Sequence, residues 1–197
     1  MKTMRHVLVI GSGFAVGLLV FASVTNLAGG ISRPTSDRFW NAFETEGAVA
    51  REYASLSKLR DDSDVIVVAT VQSVSLSRQW TAVEELGEDG IASYVLTQLL
   101  VEELLQGEPS LSPQGSIDME IFLPSPTLLE SALESKPEER AVYFLQEKAD
   151  VPGTYMLSSP QAYLRDLGTV GIPADSQDPW MKDLAESTFE ESVNTLR

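Results

Sequence analysis

The sequence has no cysteine and a single histidine, His6. The missing thiols exclude disulfides, thiol nucleophiles, thiolate metal sites and a lipidated N-terminal cysteine. With imidazole confined to position 6, Ser-His-Asp and Cys-His mechanisms are closed to the rest of the chain. Zinc held by imidazole or thiolate is excluded for the same reason. No GxGxxG, P-loop or GxSxG pattern occurs, and Gly11-Ser12-Gly13 lies inside an apolar run. No cofactor is expected.

Negative charge is missing from the start of the chain. All 29 acidic residues lie at or after Asp37, and no charged residue of either sign occurs from Val7 to Ser32. Lys2 and Arg5 precede that stretch. The run from Val7 to Ala28 is long enough to cross a hydrocarbon core of about 30 Å as a helix. Basic residues before it and acidic chain after it place the N-terminus inside and the remainder outside the cytoplasm. Two readings lead for this run, a retained single-pass anchor or a signal peptide cleaved after Ala28 with Asn26 at the −3 position, and a buried core helix is the third. Both leading readings export the rest of the chain. Gly13 and Gly17 form a GxxxG pair, which serves helix pairing in some membrane segments and is common background in others.

The portion beyond the run carries 12 basic and 29 acidic residues, 12 − 29 = −17 of the total of −15. A field of that sign repels phosphate backbones and anionic lipid, so nucleic acid is excluded as a partner. Basic peptides, basic protein patches and divalent cations are tolerated. The 197 residues fit one domain plus an appendage. The organisation read from the sequence is 1–30 anchor or signal, 31–60 linker and helical stem, and 61–197 globular domain.

Within the stem, Phe39, Trp40 and Phe43, then Val49, Tyr53, Leu56 and Leu59, recur at helical spacing, with Gly47 as a break. Asp64–Ser77 is the clearest strand, β-branched and beginning apolar on both faces. Asp89-Gly90 suits a tight turn. Ser93–Gly107 fits a strand or a helix; the turn before it and its Tyr, Val and Thr content favour a strand. Ile117–Leu123 alternates, with Asp118, Glu120 and Phe122 on the more polar face. A short helix over 127–133, a strand over Arg140–Lys148 and a return strand over Thr154–Ser158 follow. A helical turn is expected over Gln161–Asp166, and a loop through Gly168, Gly171 and Pro173. Asp178 and Pro179 start a single amphipathic helix running to the terminus, with Trp180, Leu184, Val193 and Leu196 on its apolar stripe.

The order of these pieces resembles a known type of domain. Tyr53-x-x-Leu56-x-x-Leu59 leads into Ser63-Asp64-Val65-Ile66-Val67-Val68-Ala69-Thr70-Val71. Tyr94-x-x-Thr97-x-x-x-Val101-Glu102-Glu103-x-x-Gln106-Gly107 comes next, then Tyr143-Phe144-Leu145 and Gly153-Thr154-Tyr155. This is similar to uncharacterised exported bacterial domains with a small OB-like barrel, also seen in netrin-like and metalloproteinase-inhibitor-like modules. Over about Tyr53 to Leu157 the resemblance implies a five-stranded OB-like barrel with flanking helices; with the transmembrane or signal helix read above, the expected fold is α+β, mainly β. The inhibitors of that type act through an N-terminal cysteine, which this chain lacks, so no functional residue carries over.

Four groups of residues could carry chemistry. Ser55-Leu56-Ser57-Lys58 has the Ser-x-x-Lys spacing of serine acyl enzymes, without their Ser-x-Asn and Lys-Thr-Gly companions. Among paired carboxylates, Glu102 and Glu103 point to opposite faces of a strand. Asp118 and Glu120 share one face, where they serve either as an acid–base pair or as solvated charge. Asp61, Asp62 and Asp64 could hold Ca²⁺ with backbone carbonyls, though without EF-hand spacing. Trp80, expected in a loop beside Arg78, either anchors a partner or folds back on the domain. The expected role is a non-catalytic, extracytoplasmic binding module of the bacterial cell envelope, contacting the membrane through Val7–Ala28 and another envelope protein or polymer through its domain. The alternatives are a carboxylate-dependent hydrolase of envelope material and an accessory subunit of a membrane complex.

Overall fold

The computed structural model describes residues 35–44, 53–81, 91–123, 126–159, 162–173 and 179–197. The Val7–Ala28 run with Gly13 and Gly17, the break at Gly47, the turn at Asp89-Gly90 and the cap at Asp178 lie outside them. Among the described residues no helix is long and apolar enough to cross a membrane.

The architecture is mainly β: a seven-stranded sheet with a few helices. Its elements in chain order are helices α1 (Thr35–Glu44) and α2 (Leu56–Asp61), then strands β1 (Val65–Thr81), β2 (Ile91–Gln106) and β3 (Ser116–Leu123). Helix α3 (Pro126–Glu134) is followed by β4 (Arg140–Glu147), β5 (Thr154–Leu157), β6 (Tyr163–Leu167) and β7 (Thr169–Gly171). Two helices end the chain, α4 (Pro179–Ala185) and α5 (Phe189–Leu196).

The strand order β1-β2-β3-β5-β4-β6-β7 carries one further pairing, β1 with β4. Five strands therefore close a ring, β1-β2-β3-β5-β4 and back to β1, with β6 and β7 added outside it along β4. All joints are antiparallel except β3–β5, which is parallel and has only two register pairs, Asp118 with Thr154 and Met119 with Tyr155. The apolar start of β1 lies inside this closure and is buried on both faces. It pairs with β2 on one edge and β4 on the other, and Val65, Ile66, Val67, Val68, Ala69 and Val71 are all buried. A strand covered on both faces needs apolar residues at successive positions. Gly107 ends β2 with φ +88°, and a Cβ there would meet the Asp64 carbonyl oxygen at 2.2 Å, so only glycine fits.

The stem is built into the core. Phe39 and Trp40 of α1 are buried, and Trp40 stacks on Tyr163 and Tyr143 at centroid distances of 4.3 and 6.0 Å. Its indole Nε1 donates to Glu139 at 2.8 Å. Thr35 and Ser36, expected in a polar linker, form the first turn of this helix. Tyr53 is also buried, and its hydroxyl donates to the Ser158 carbonyl at 3.2 Å.

Three further expectations are corrected. The loop expected through Gly168 and Gly171 contains strand β7, which pairs with β6. Residues 163–167 form a strand instead of a helical turn, because Tyr163, Leu164 and Arg165 find partners in Tyr143, Val142 and Ala141 of β4. The C-terminal helix is two helices. Thr188 caps the second, its hydroxyl accepting from the Glu191 N–H while Glu191 accepts from the Thr188 N–H. That reciprocal pair starts a new helix and so ends the previous one.

Candidate functional site

The outer face of β1, β2 and β3 is read directly from the registers. One cross-strand row is Ser73, Gln98 and Asp118; the next is Ser75, Leu96 and Glu120; the third is Arg78, Tyr94 and Phe122. The alternate residues of β2 and β3, such as Val95, Leu99, Met119 and Ile121, are buried in the core. The bulge between Leu76 and Arg78 inserts Ser77 and turns Arg78 onto the outer face opposite Tyr94.

Glu120 is the centre of this face. It lies on the solvent side of an alternating strand, yet its side chain is only 4% exposed. Ser77 Oγ donates to its Oε1 at 2.6 Å, and Arg78 Nη2 donates to its Oε2 at 2.9 Å. Lys148, from the β4–β5 connection, sets Nζ 3.1 Å from the same Oε2 with its own side chain 7% exposed. Asp150 accepts from Arg78 Nη2 at 2.8 Å and lies 3.6 Å from Lys148 Nζ. Two cations and two carboxylates thus balance within one network.

The ring of Tyr94 completes the enclosure. Arg78 Cζ lies 4.3 Å and Lys148 Nζ 4.6 Å from its centroid, within cation–π range. Phe122 packs on Tyr94 at 5.4 Å and remains 40% exposed. Burial pushes the Glu120 carboxyl up, but the Ser77 and Lys148 hydrogen bonds and the charges of Lys148 and Arg78 outweigh it. The result is a carboxyl held below its ordinary range, an ionised acceptor and not a proton donor at neutral pH. Asp150 is likewise lowered, first by its hydrogen bond from Arg78.

The residues singled out from sequence do not converge with this network, Glu120 excepted. Asp118 accepts from Gln98 at 3.3 Å and is not joined to Glu120. Glu102 is exposed, and Glu103 pairs with Arg197 at 2.8 Å. Ser55 is the N-cap of α2, accepting from the Lys58 N–H, while Lys58 Nζ binds Asp62 at 2.6 Å. Lysine and hydroxyl therefore serve separate structural contacts. The Asp62 hydrogen bond and charge raise the Lys58 pKa, which disfavours a lysine base. Asp64 accepts from the Glu147 N–H at 2.9 Å, and Asp61 is exposed. Among the described residues no group of three His, Cys, Asp or Glu side chains is placed to hold a metal ion. Trp80 belongs to β1, paired with Ala92, and not to a loop: β2 begins at Ile91 and extends the hairpin to Thr81.

Arg78, Tyr94, Phe122 and Lys148 were not singled out as site residues from the sequence. One signal was available: Phe122 is an aromatic on the polar face of an alternating strand. Lys148 carried none, because its partner is set by how the β4–β5 connection folds.

No protein-family model, curated protein or solved structure matches this chain. The functional reading therefore rests on the geometry and the charge distribution alone.

Proposed function

We propose that the chain is a non-catalytic, extracytoplasmic binding module of a bacterial cell envelope, built on a five-stranded OB-like barrel. It is tethered to the membrane through Val7–Ala28, or released by cleavage after Ala28. The observation that carries the binding reading is the row Arg78–Tyr94–Phe122. An exposed phenylalanine beside a guanidinium on a rigid strand face is the composition of a protein contact, in which aromatic and arginine side chains contribute most of the binding energy. Strands hold such a face with less reorganisation than loops do.

The partner favoured by charge is a protein or peptide with basic residues. The domain's excess of 17 acidic over basic residues repels nucleic acid and anionic lipid. Arg78 and Lys148 do not reverse that field locally, since Glu120 and Asp150 neutralise them. The OB-like reading is supported by the ring order, the lone parallel β3–β5 joint and the helix between β3 and β4. The hydrolase alternative has less support. It requires a carboxyl with a raised pKa near a second free acid, whereas Glu120 is lowered and its neighbour Asp150 is bound to Arg78.

A photo-crosslinking side chain at Phe122 tests the reading in the native envelope, with one at exposed Leu167 as control. One stoichiometric protein adduct from position 122 and none from 167 is expected. An adduct to a glycan, or none together with turnover of envelope polymer that Glu120→Gln abolishes, overturns it. Protease added to spheroplasts with an intact cytoplasmic membrane should digest the domain; protection there, with digestion after lysis, would place it in the cytoplasm.

A further inference from the structure

The ring of strands is joined unevenly. β1–β2 has fourteen register pairs, β2–β3 eight and β1–β4 six, whereas β5 is held by three to β4, to which the turn also ties it, and by two to β3. Past Met119 and Tyr155 the two strands are no longer paired. Glu120 to Leu123 on β3 and Met156 to Leu157 on β5 keep strand partners only on their other edges. The Glu120 network lies across this seam. Lys148 stands opposite Thr154, its N–H donating to the Thr154 carbonyl at 2.9 Å, and Thr154 is the register partner of Asp118. From there its side chain reaches over to Glu120, on the far side of the seam. Arg78 adds a second crossing, from β1 to Glu120 on β3 and to Asp150 in the β4–β5 connection.

We propose that the ring opens at the β3–β5 seam and that Glu120, Lys148 and Arg78 are the latch that holds it shut. Two backbone pairs are a weak joint, since sheet stability accumulates pair by pair. A nearly buried ion pair is a strong one while both partners stay, and without Lys148 the buried Glu120 keeps only the half-exposed Arg78 as its counter-charge. Opening moves the β4–β5 connection away from Tyr94 and uncovers the ring face that Lys148 and Arg78 now occupy. The seam is then an opening of lower energy than global unfolding and separate from it. This inference does not depend on what binds at Phe122, because the latch acts on the ring whatever the partner.

Amide hydrogen exchange on the full-length chain in neutral-lipid nanodiscs tests it, comparing the wild type with Lys148→Met and with Glu103→Gln, which breaks the exposed pair to Arg197. In Lys148→Met, the seam-facing amides, those of Asp118–Glu120 not bonded to β2 and that of Tyr155, should exchange at least about tenfold faster while Val65–Val71 are unchanged. Glu103→Gln should leave the seam unchanged. No acceleration at the seam, or equal acceleration in every strand, overturns the latch. Should Lys148→Met fail to fold, the wild type decides in sub-denaturing guanidinium. Seam amides exchanging through openings with little denaturant dependence support the proposal; seam amides that follow the global unfolding curve overturn it.

Discussion

Trp40 stacks on Tyr163 with ring centroids 4.3 Å apart and planes 25° from parallel. The first described helix and a strand near the end of the chain therefore share one piece of core. Arg165 lies over the same indole at 5.5 Å and pairs with Asp37 and Glu139 at 2.9 and 2.7 Å, so the contact is clamped from its polar side too. Trp40→Ala should cost about 3–5 kcal/mol, as buried aromatic truncations do. Equilibrium urea unfolding of the full chain measures it. A loss below about 1 kcal/mol would mean that α1 rests on the domain without being part of its core.

Buried hydroxyls on this scaffold divide into paired and unpaired, and the two classes should respond oppositely to removal. Thr97 Oγ1 and the Tyr143 hydroxyl are buried without a hydrogen-bond partner among the described residues, and burial raises the Tyr143 pKa far above its usual range. An unpaired buried polar group is a standing cost of about 1–3 kcal/mol. Thr97→Val and Tyr143→Phe should therefore be neutral or stabilising in thermal unfolding. Tyr53→Phe removes a donor to the Ser158 carbonyl and should lose about 1 kcal/mol. Destabilisation of comparable size in all three variants would show that bound water satisfies Thr97 and Tyr143.

The strands were legible where composition and burial agree. Val65–Val71 is apolar at almost every position because both faces are covered, and Ser93–Gln106 resolves as a strand through its pairing with β1 and β3. Residues 163–167 were illegible because Tyr-Leu-Arg-Asp-Leu suits a helical turn as well as a strand, and only the free edge of β4 decides. The helix break at Thr188 was legible in principle, since Thr188-Phe189-Glu190-Glu191 has the spacing of a capping box. Alternation assigns Glu120 to the face it shares with Asp118 and says nothing of what folds over it. Its burial comes from Lys148 and Arg78, which local sequence pattern does not connect to it.

That capping box gives the third prediction. Thr188 and Glu191 satisfy each other's backbone N–H groups, and the backbone hydrogen bond lowers the Glu191 pKa. Helix α5 buries Phe189, Val193 and Leu196 against the core, so fraying at its start loosens that packing. Thr188→Ala should lose about 1 kcal/mol, and Thr188→Ser should retain most of it. Thermal unfolding of both variants, with exchange at the α5 amides, checks the order. Equal behaviour of Ala and Ser would remove the cap from the account of why the helix breaks there.

The ion network makes the last prediction, and its sign follows from Glu120. In the folded chain this carboxyl sits below its ordinary value of 4.5, so the unfolded chain takes up the proton first on acidification. Its contribution to stability is complete above the unfolded value and is lost as pH falls through the lowered folded value. Glu120→Gln leaves Lys148 nearly buried beside a neutral amide and should cost about 3 kcal/mol at neutral pH. The stability difference between wild type and Glu120→Gln should stay level from about pH 7 to pH 5 and shrink below the ordinary carboxyl range. Exposed Asp150 and Glu191 and half-buried Glu103 are lowered as well and add to the acid sensitivity of every form, which is why the difference and not the wild-type curve carries the result. Lys148→Met should move the acid-induced loss to higher pH, because the cation that holds Glu120 down is gone. Urea unfolding at a series of pH values reads all three forms, and a wild-type advantage that grows on acidification would mean Glu120 is protonated in the folded chain.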